Sequence, residues 1–506
     1  MIGLVLALGS PVAAAATVGG VERFSTKCGV GQLVAGPDGN VWFSCFRESP
    51  EFSGRGKALV GKITSAGEVT EYSLPAGVGA GYLTAGPDGN LWFTFDNGGG
   101  EYGPVAPSSA SAIGRITPTG NVTLFRAGLR AKSRPGEIIP GPEGDLWFVD
   151  GGPAPMVGRI TPQGTIIEFA SGVKSPLGLG GLAAGAEGSL WFTQVYVLPH
   201  GDEPGAVAGR LDPDGTVTPF GDAPPALGAP VAGPGGDVWF ADDSERRGTI
   251  DRVTPSGELT RFSQGLAGIP TDMVAGPDGN LWFTTQRSIG RVTPDGAITQ
   301  FSDCLTYRLF FSEARTIVSG PGGDLWFTNT TSRQLPSMEE APSIGRVTPS
   351  GEITLFKAEI GPEPQSIVAG PDGRVWFSGG SNGIERITPP QAPVNTFIVN
   401  PGKVSAAGVA EVPVEVPGPG EVKLRKAVLL LPHKRTVRLP GSGALHVSPT
   451  TCGPAPLRLK LRGKALARQR KEGSIRVRVT ATFTPTGGSP NTRTETTFLR
   501  GPRRGG

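Results

Sequence analysis

Eight segments of this chain repeat one pattern, and each holds one of its eight tryptophans: Trp42, Trp92, Trp147, Trp191, Trp239, Trp282, Trp326 and Trp376. The sixth copy reads Ala275-Gly-Pro-Asp-Gly-Asn-Leu-Trp-Phe-Thr284, then Ile289-Gly-Arg-Val-Thr-Pro-Asp-Gly-Ala-Ile-Thr-Gln-Phe301. That is four short strands. Met273 to Ala275 enters a Pro-Asp-Gly turn and Leu281 to Thr284 returns from it. Ile289 to Thr293 and Ala297 to Phe301 make a second hairpin around another Pro-Asp-Gly. The glycine supplies the positive φ that such turns need, and the β-branched and aromatic flanks suit a pleated, buried surface. Successive tryptophans are roughly 43 to 55 residues apart, the period of a four-stranded propeller blade. One such meander cannot bury both of its faces. Eight copies packed face to face around an axis can, with Trp and Phe filling the seams. The chain is therefore expected to be all-β, with an eight-bladed β-propeller as its main body.

At 506 residues the chain exceeds one compact core. Its 79 glycines and 49 prolines fall largely at repeated turn positions. The net charge of +3 hides an asymmetry. Residues 400–506 hold 20 Lys and Arg against 5 Asp and Glu, which is +15; the remainder holds 27 against 39, which is −12. An acidic repeat body thus precedes a basic module.

Residues 1–16 include an apolar run from Ile2 ending in Ala13-Ala-Ala-Ala16, read as a signal peptide that implies a secreted or envelope-associated protein. The run is too short for a membrane span, and no second candidate occurs. The four cysteines, Cys28, Cys45, Cys304 and Cys452, lack zinc-site spacing. Cys28 precedes the first strand of blade one and Cys45 follows its second. Antiparallel pairing brings both to one end of the blade, so Cys28–Cys45 is a candidate disulfide, with buried free thiols as the alternative.

Val21-Glu-Arg-Phe24 reads as a fourth strand without its first three, and the eighth unit loses register at Pro389-Pro-Gln-Ala-Pro393. The N-terminal strand is expected to close the ring as the outer strand of blade eight, in preference to Val394-Asn-Thr-Phe397, which a preceding proline disfavours. The propeller is placed at residues 21–399. Its tight turns stay short, whereas Cys45 to Val60, Phe95 to Ala112, Gln194 to Val207 and Asn329 to Ser343 are long. These all emerge on one face, the expected binding face. Residues 400–506 read as short strands with a helix near Gly463 to Gly473, a small immunoglobulin-like β-sandwich. In Arg476-Val-Arg-Val479 the arginines are expected outside and the valines inside.

The pairing of Gly-Pro-Asp-Gly-Asn-Leu-Trp-Phe-Thr with Ile-Gly-Arg-Ile-Thr-Pro resembles the virginiamycin B lyase (streptogramin lyase) family of propellers. That family has seven blades, so a seven-bladed ring is the alternative to the eight units counted here. The resemblance implies opening of a cyclic depsipeptide lactone by C–O elimination with Mg²⁺, using a His on an inner strand and a Glu directly after Trp-Phe-Thr. The matching positions here are Gly31 with Cys45, Gly81 with Phe95, Gly136 with Asp150, and Gly180 with Gln194. In the later blades they are Gly228 with Asp242, Thr271 with Thr285, Arg315 with Asn329, and Gln365 with Gly379. No blade offers the His or the Glu. His200, in a long loop, is the one propeller histidine.

Features shared by all blades read as scaffold. The third-strand cations, Lys62 and the arginines from Arg115 to Arg386, are expected to pair with turn carboxylates. Positions that differ between blades are the informative ones. Gln194, Asp243, Arg315, Asn329 and Gln365 are expected to line or rim the channel as ligand contacts. Asp150 and Asp242 are candidates for a Mg²⁺ or Ca²⁺ site and, with His200, for catalysis. Glu137 either joins Asp150 or is aimed by strand alternation into the blade interface.

The favoured reading is a binding module for an extracellular small molecule, glycan or protein. The alternatives are a lactone-opening lyase and a metal-assisted hydrolase in the central channel. The basic C-terminal module is expected to meet an anionic envelope polymer or the acidic propeller. Nucleic acid ranks lower, because no aromatic residues interleave with the run Arg458-Leu-Lys-Leu-Arg-Gly-Lys464.

Overall fold

The computed structural model describes residues 20–47, 57–75, 79–95, 111–170, 176–197, 204–223, 228–242, 248–285, 288–301, 312–331, 343–357, 364–378, 383–389, 397–416, 420–431, 436–440, 444–447, 455–485 and 490–501. Eight four-stranded antiparallel sheets form the blades, and the C-terminal strands form one further sheet. Blade six shows the plan in Pro270–Ala275, Leu281–Thr285, Ile289–Val292 and Ile298–Phe301. Blade eight takes only three strands from its own segment. Its outer strand is Val21–Ser25, paired antiparallel with Gly383–Ile387. The N-terminal strand closes the ring, as the repeat phase requires. Residues 394–396 of the competing segment lie outside the described residues, and Ile398–Val399 pairs with Val409–Glu415 of the C-terminal sheet.

The seams show why this sequence makes a ring. Each blade's tryptophan is buried with the Phe that follows Trp in the next blade: Trp42 with Phe93, Trp92 with Phe148, and onward to Trp326 with Phe377. Trp376 packs with Phe43, which returns the series to blade one. Eight seams therefore complete the circle. Burying about 150–250 Å² of indole at about 25 cal/mol per Å² contributes roughly 4–6 kcal/mol per tryptophan before ordering costs.

Each tryptophan also stacks on a fourth-strand aromatic of its own blade, from Trp42 on Tyr72 to Trp326 on Phe356, with centroids 5.1 to 5.7 Å apart where stacked. The third-strand cations lie over these rings, as Arg115 does over Trp92 and Phe125 at 5.5 Å. They pair with turn carboxylates as expected, Lys62 with Asp38 at 3.4 Å and Arg346 with Asp324 at 2.6 Å. They also reach the neighbouring blade. Lys62 donates to the Pro118 carbonyl at 2.7 Å, Arg115 to Pro162 at 2.8 Å and Arg252 to Pro294 at 2.6 Å.

The turn aspartates do internal work too. Asp278 accepts from Trp282 Nε1 at 3.1 Å and from Asn280 Nδ2 at 2.8 Å. Burial opposes its ionisation, but these hydrogen bonds outweigh that and hold the carboxyl below its usual range.

The C-terminal strands enclose one core that includes Val412, Leu429, Leu457, Val477 and Leu499. A parallel contact between Gly402–Val404 and Asn491–Arg500 joins the two halves into one continuous sheet. The helix Gly463–Glu472 forms where the sequence places it. Ile475, Val477 and Val479 are buried while Arg476 and Arg478 are exposed, the expected alternation.

Candidate functional site

Asp150, Gln194, Asp242 and Asn329 are each the fifth residue of a second strand, toward the loop-bearing end where the sequence places the channel groups. The structure encloses these residues. Asp242 and Gln194 are 0% exposed, Asn329 is 1% and Asp150 is 2%. The sequence places these four at an open rim, whereas their side chains are enclosed. At Asp150 the link arriving from the preceding blade closes over the strand end.

Asp150 shows how that happens. Its Oδ1 accepts from the backbone of Arg134 at 2.6 Å and of Gly152 at 2.9 Å, so it caps the incoming link. Asn329 Nδ2 donates to Ser343 Oγ at 2.9 Å within its own blade. Beside Asp242, Thr249 Oγ1 donates to Asp251 at 2.8 Å, and Arg261 pairs with Asp251 at 3.1 Å. Gln194 has neither amide atom hydrogen-bonded among the described residues.

Glu168, on the outer strand of blade three, completes a buried carboxyl pair with Asp150. Burial, then hydrogen bonding to Asp150 and the Asp150 charge, push Glu168 up to about 7, while Arg130 pulls the other way. Arg130 Nε lies 3.3 Å from Glu168 Oε2, outside good hydrogen-bond geometry. The same outer-strand position recurs elsewhere. Glu71 accepts from Lys27 N at 2.8 Å, and Gln300 accepts from Ala267 N at 2.6 Å. These groups tether links between blades. A perturbed carboxyl that also fills a repeated structural position is weak evidence for catalysis.

A second set of polar groups lies on the inner strands. There a register shift, such as that between Pro135 and Ile138, frees a backbone N–H. The preceding blade supplies the acceptor. Gln32 Oε1 takes Leu83 N at 2.8 Å, Glu137 Oε2 takes Leu182 N at 2.9 Å, and Asp272 Oδ2 takes Ile317 N at 2.9 Å. Ser366 Oγ takes Leu33 N at 3.0 Å across the closing seam. Glu137 thus enters the interface with blade four, the second of the two placements open to it. Burial raises Glu137, and it pushes Asp272 to about 6 against the pull of the Ile317 and Met273 amides. The sequence reading missed Asp272. Its signal is the polar residue that repeatedly follows the first inner-strand position, as Gln32, Glu137 and Ser366 also do.

Exposed groups remain at the loop-bearing end. Gln365 is exposed, as is Thr271, and Tyr82 is 49% exposed at the mouth end of blade two. His200 and Asp243 lie outside the described residues, as does the Arg315 side chain. Cys304 and Cys452 do as well. Cys28 and Cys45 are joined, with Cα atoms 5.7 Å apart.

Among the described residues one set of possible ligands converges, Cys28, Cys45 and Glu71, and its two sulfurs are already in the disulfide. Asp150 and Asp242 take part in no such cluster. Nor does any described blade pair a histidine with a carboxylate.

The profile of the virginiamycin B lyase family matches residues 176–389. A streptogramin B lyase structure is 21% identical over 72% of this chain and 96% of its own, with a TM-score of 0.44. Virginiamycin B lyase from Staphylococcus aureus is 24% identical over 72% of this chain and 98% of its own, also at 0.44. An extracellular domain from B. thetaiotaomicron, described as part of a hybrid two-component system, is 13% identical over 94% of this chain and 68% of its own, at 0.44. No curated protein sequence matches the chain.

Proposed function

We propose that this chain uses its virginiamycin B lyase-like propeller as a binding module for a ligand outside the cell or in its envelope. One observation carries the reading. The two acids at the lyase positions, Asp150 and Asp242, are 2% and 0% exposed and take hydrogen bonds from internal partners. General acid–base work needs a group within hydrogen-bond reach of the substrate. The described blades offer the scaffold without that group, while the loop-bearing end differs from blade to blade. The leader-like residues 1–16 and the Cys28–Cys45 disulfide support an oxidising, extracytoplasmic setting.

The test joins turnover to binding. The full chain is incubated with a type B streptogramin and Mg²⁺, and the product is analysed by chromatography and mass spectrometry. Elimination would give a ring-opened isomer of unchanged mass, whereas hydrolysis would add one water; either product overturns the reading. In parallel, the chain is assayed against an array of envelope glycans and small molecules. Saturable binding weakened by Tyr82→Ala supports the loop-bearing face. Binding indifferent to loop-face substitutions counts against it.

A further inference from the structure

The strands Gly420–Leu430, Ser474–Pro485 and Asn491–Arg500, with Thr436–Arg438 at one edge, present an outer face whose rows follow from the pairing register. Arg438 stands opposite Val428, Val428 opposite Arg478, and Arg478 opposite Thr496. Lys426, Thr480 and Thr494 form the next row, and Arg476 stands opposite Phe498. All four cations are exposed, and Phe498 is 46% exposed. None of the four takes an ion pair or side-chain hydrogen bond among the described residues, and no carboxylate occupies these rows. The third-strand cations of the propeller differ, being committed to a ring, a turn carboxylate or a neighbouring carbonyl.

We propose that this face binds an acidic polysaccharide. Alternate residues on a strand project to one side about 6.6–6.8 Å apart, so Arg476 and Arg478 offer two cationic forks at a fixed spacing. A guanidinium matches a carboxylate in a bidentate pair. Thr480 and Thr494, hydrogen-bonded to each other at 2.9 Å, set hydroxyls between the cations that can trade bonds with sugar hydroxyls. Phe498 supplies one flat apolar surface for a sugar ring. A single exposed aromatic is a poor platform for successive nucleotide bases, which need several. A flat face lined with hydroxyls also suits an extended chain better than the uneven surface of a second protein. The +15 charge of residues 400–506 would draw such a polymer in. This site is independent of the loop-bearing face of the propeller.

The experiment titrates the full chain with polygalacturonate at low salt and again at about 0.3 M, where the Debye length falls to roughly 6 Å. Neutral dextran, single-stranded DNA and polyphosphate are the comparison ligands. Arg476→Gln with Arg478→Gln should weaken polygalacturonate binding about tenfold or more. Phe498→Ala should weaken it at both salt levels, since an apolar contact is not screened. Arg468→Gln with Lys471→Gln, on the helix, should leave it unchanged, and circular dichroism should show each variant folded. The proposal is overturned if the double arginine variant binds normally or if polygalacturonate is not bound at low salt. Equal binding of DNA and polyphosphate that ignores Phe498→Ala also overturns it, because that describes a plain polycation.

Discussion

Asp272 gives the sharpest test of the inter-blade caps. Its carboxyl is buried between blades six and seven and accepts from Ile317 N and Met273 N, each at 2.9 Å. Burial raises it from the usual 3.8 to about 6. Below about pH 3.8 the group is neutral in both the folded and the unfolded chain, so its protonated contribution to stability is fully present. Between about 3.8 and 6 the unfolded chain ionises first, and stability falls as pH rises. Above about 6 both states are ionised and the loss is constant. A rise of about 2 units at 1.36 kcal/mol each corresponds to roughly 3 kcal/mol. Asp272→Asn keeps an oxygen for Ile317 N without the charge. Its NH₂ then faces Met273 N, so the variant should lack this pH dependence and gain on the parent by up to about 3 kcal/mol between pH 4 and pH 7. Asp272→Ala leaves the Ile317 amide orphaned and should fall about 1–3 kcal/mol below the Asn variant. Urea unfolding followed by tryptophan fluorescence reads the propeller alone, because all eight tryptophans lie between residues 42 and 376. A parent-to-Asn difference that stays constant from pH 4 to pH 7 would refute the reasoning.

The disulfide Cys28–Cys45 closes a loop with a sequence separation of 17, so Cys45→Ser should destabilise the propeller by about 3 kcal/mol. Reductant should do the same to the parent and leave the variant unchanged, as judged by urea midpoints. A chain lacking residues 1–26 should lose ring closure and a large part of its cooperative unfolding, whereas a chain lacking residues 1–19 should match the parent; equal midpoints would contradict closure by Val21–Ser25. At Gly114 an added methyl would overlap the ring of Phe93, so Gly114→Ala should cost about 1–3 kcal/mol. Gly178 has open space around it, and Gly178→Ala should be near neutral by the same assay.

The ring was legible in the sequence because one physical unit is written eight times. Trp282 and Phe283 fix two faces of a blade, Pro277-Asp-Gly279 fixes a turn, and repetition supplies the partner for every face. The exposed Arg476 and Arg478 were legible for a similar local reason, the two-residue period of a strand. The candidate channel groups were not. At sequence level Asp150 and Asp242 are polar residues at strand ends, the usual mark of an exposed rim. The burial of Asp150 depends on the backbone of Arg134, in the link from the preceding blade, closing over it, a contact that no local pattern encodes. The inner-strand caps were hidden likewise, because they exist only through register shifts. Once a shift frees an N–H, chemically unlike residues such as Gln32, Glu137, Asp272 and Ser366 perform one task, so variation between blades there marks packing rather than ligand choice.

The closing strand shows how charge can supply what proximity in the chain does not. Most strands of the propeller have their pairing set by a neighbour a short loop away, but Val21–Ser25 must find Gly383–Ile387 from the far end of the propeller. No hairpin fixes that register. In the observed register Glu22 faces Arg386, with their side chains 2.7 Å apart, and Arg23 faces Glu385. A slip of one residue in one direction sets Glu22 against Glu385, and in the other sets Arg23 against Arg386. Either slip also turns Phe24 away from Trp376, on which it packs at 5.5 Å. Like charges directly opposite are destabilising in an antiparallel pair, so both errors cost electrostatic and apolar energy together. Glu385 occupies a position that is glycine in six blades, where the Phe after Trp lies against the bare backbone. Blade five departs at the same position, with Asp251 opposite Arg261, so in both blades an acid replaces the glycine and stands opposite an arginine of the outer strand.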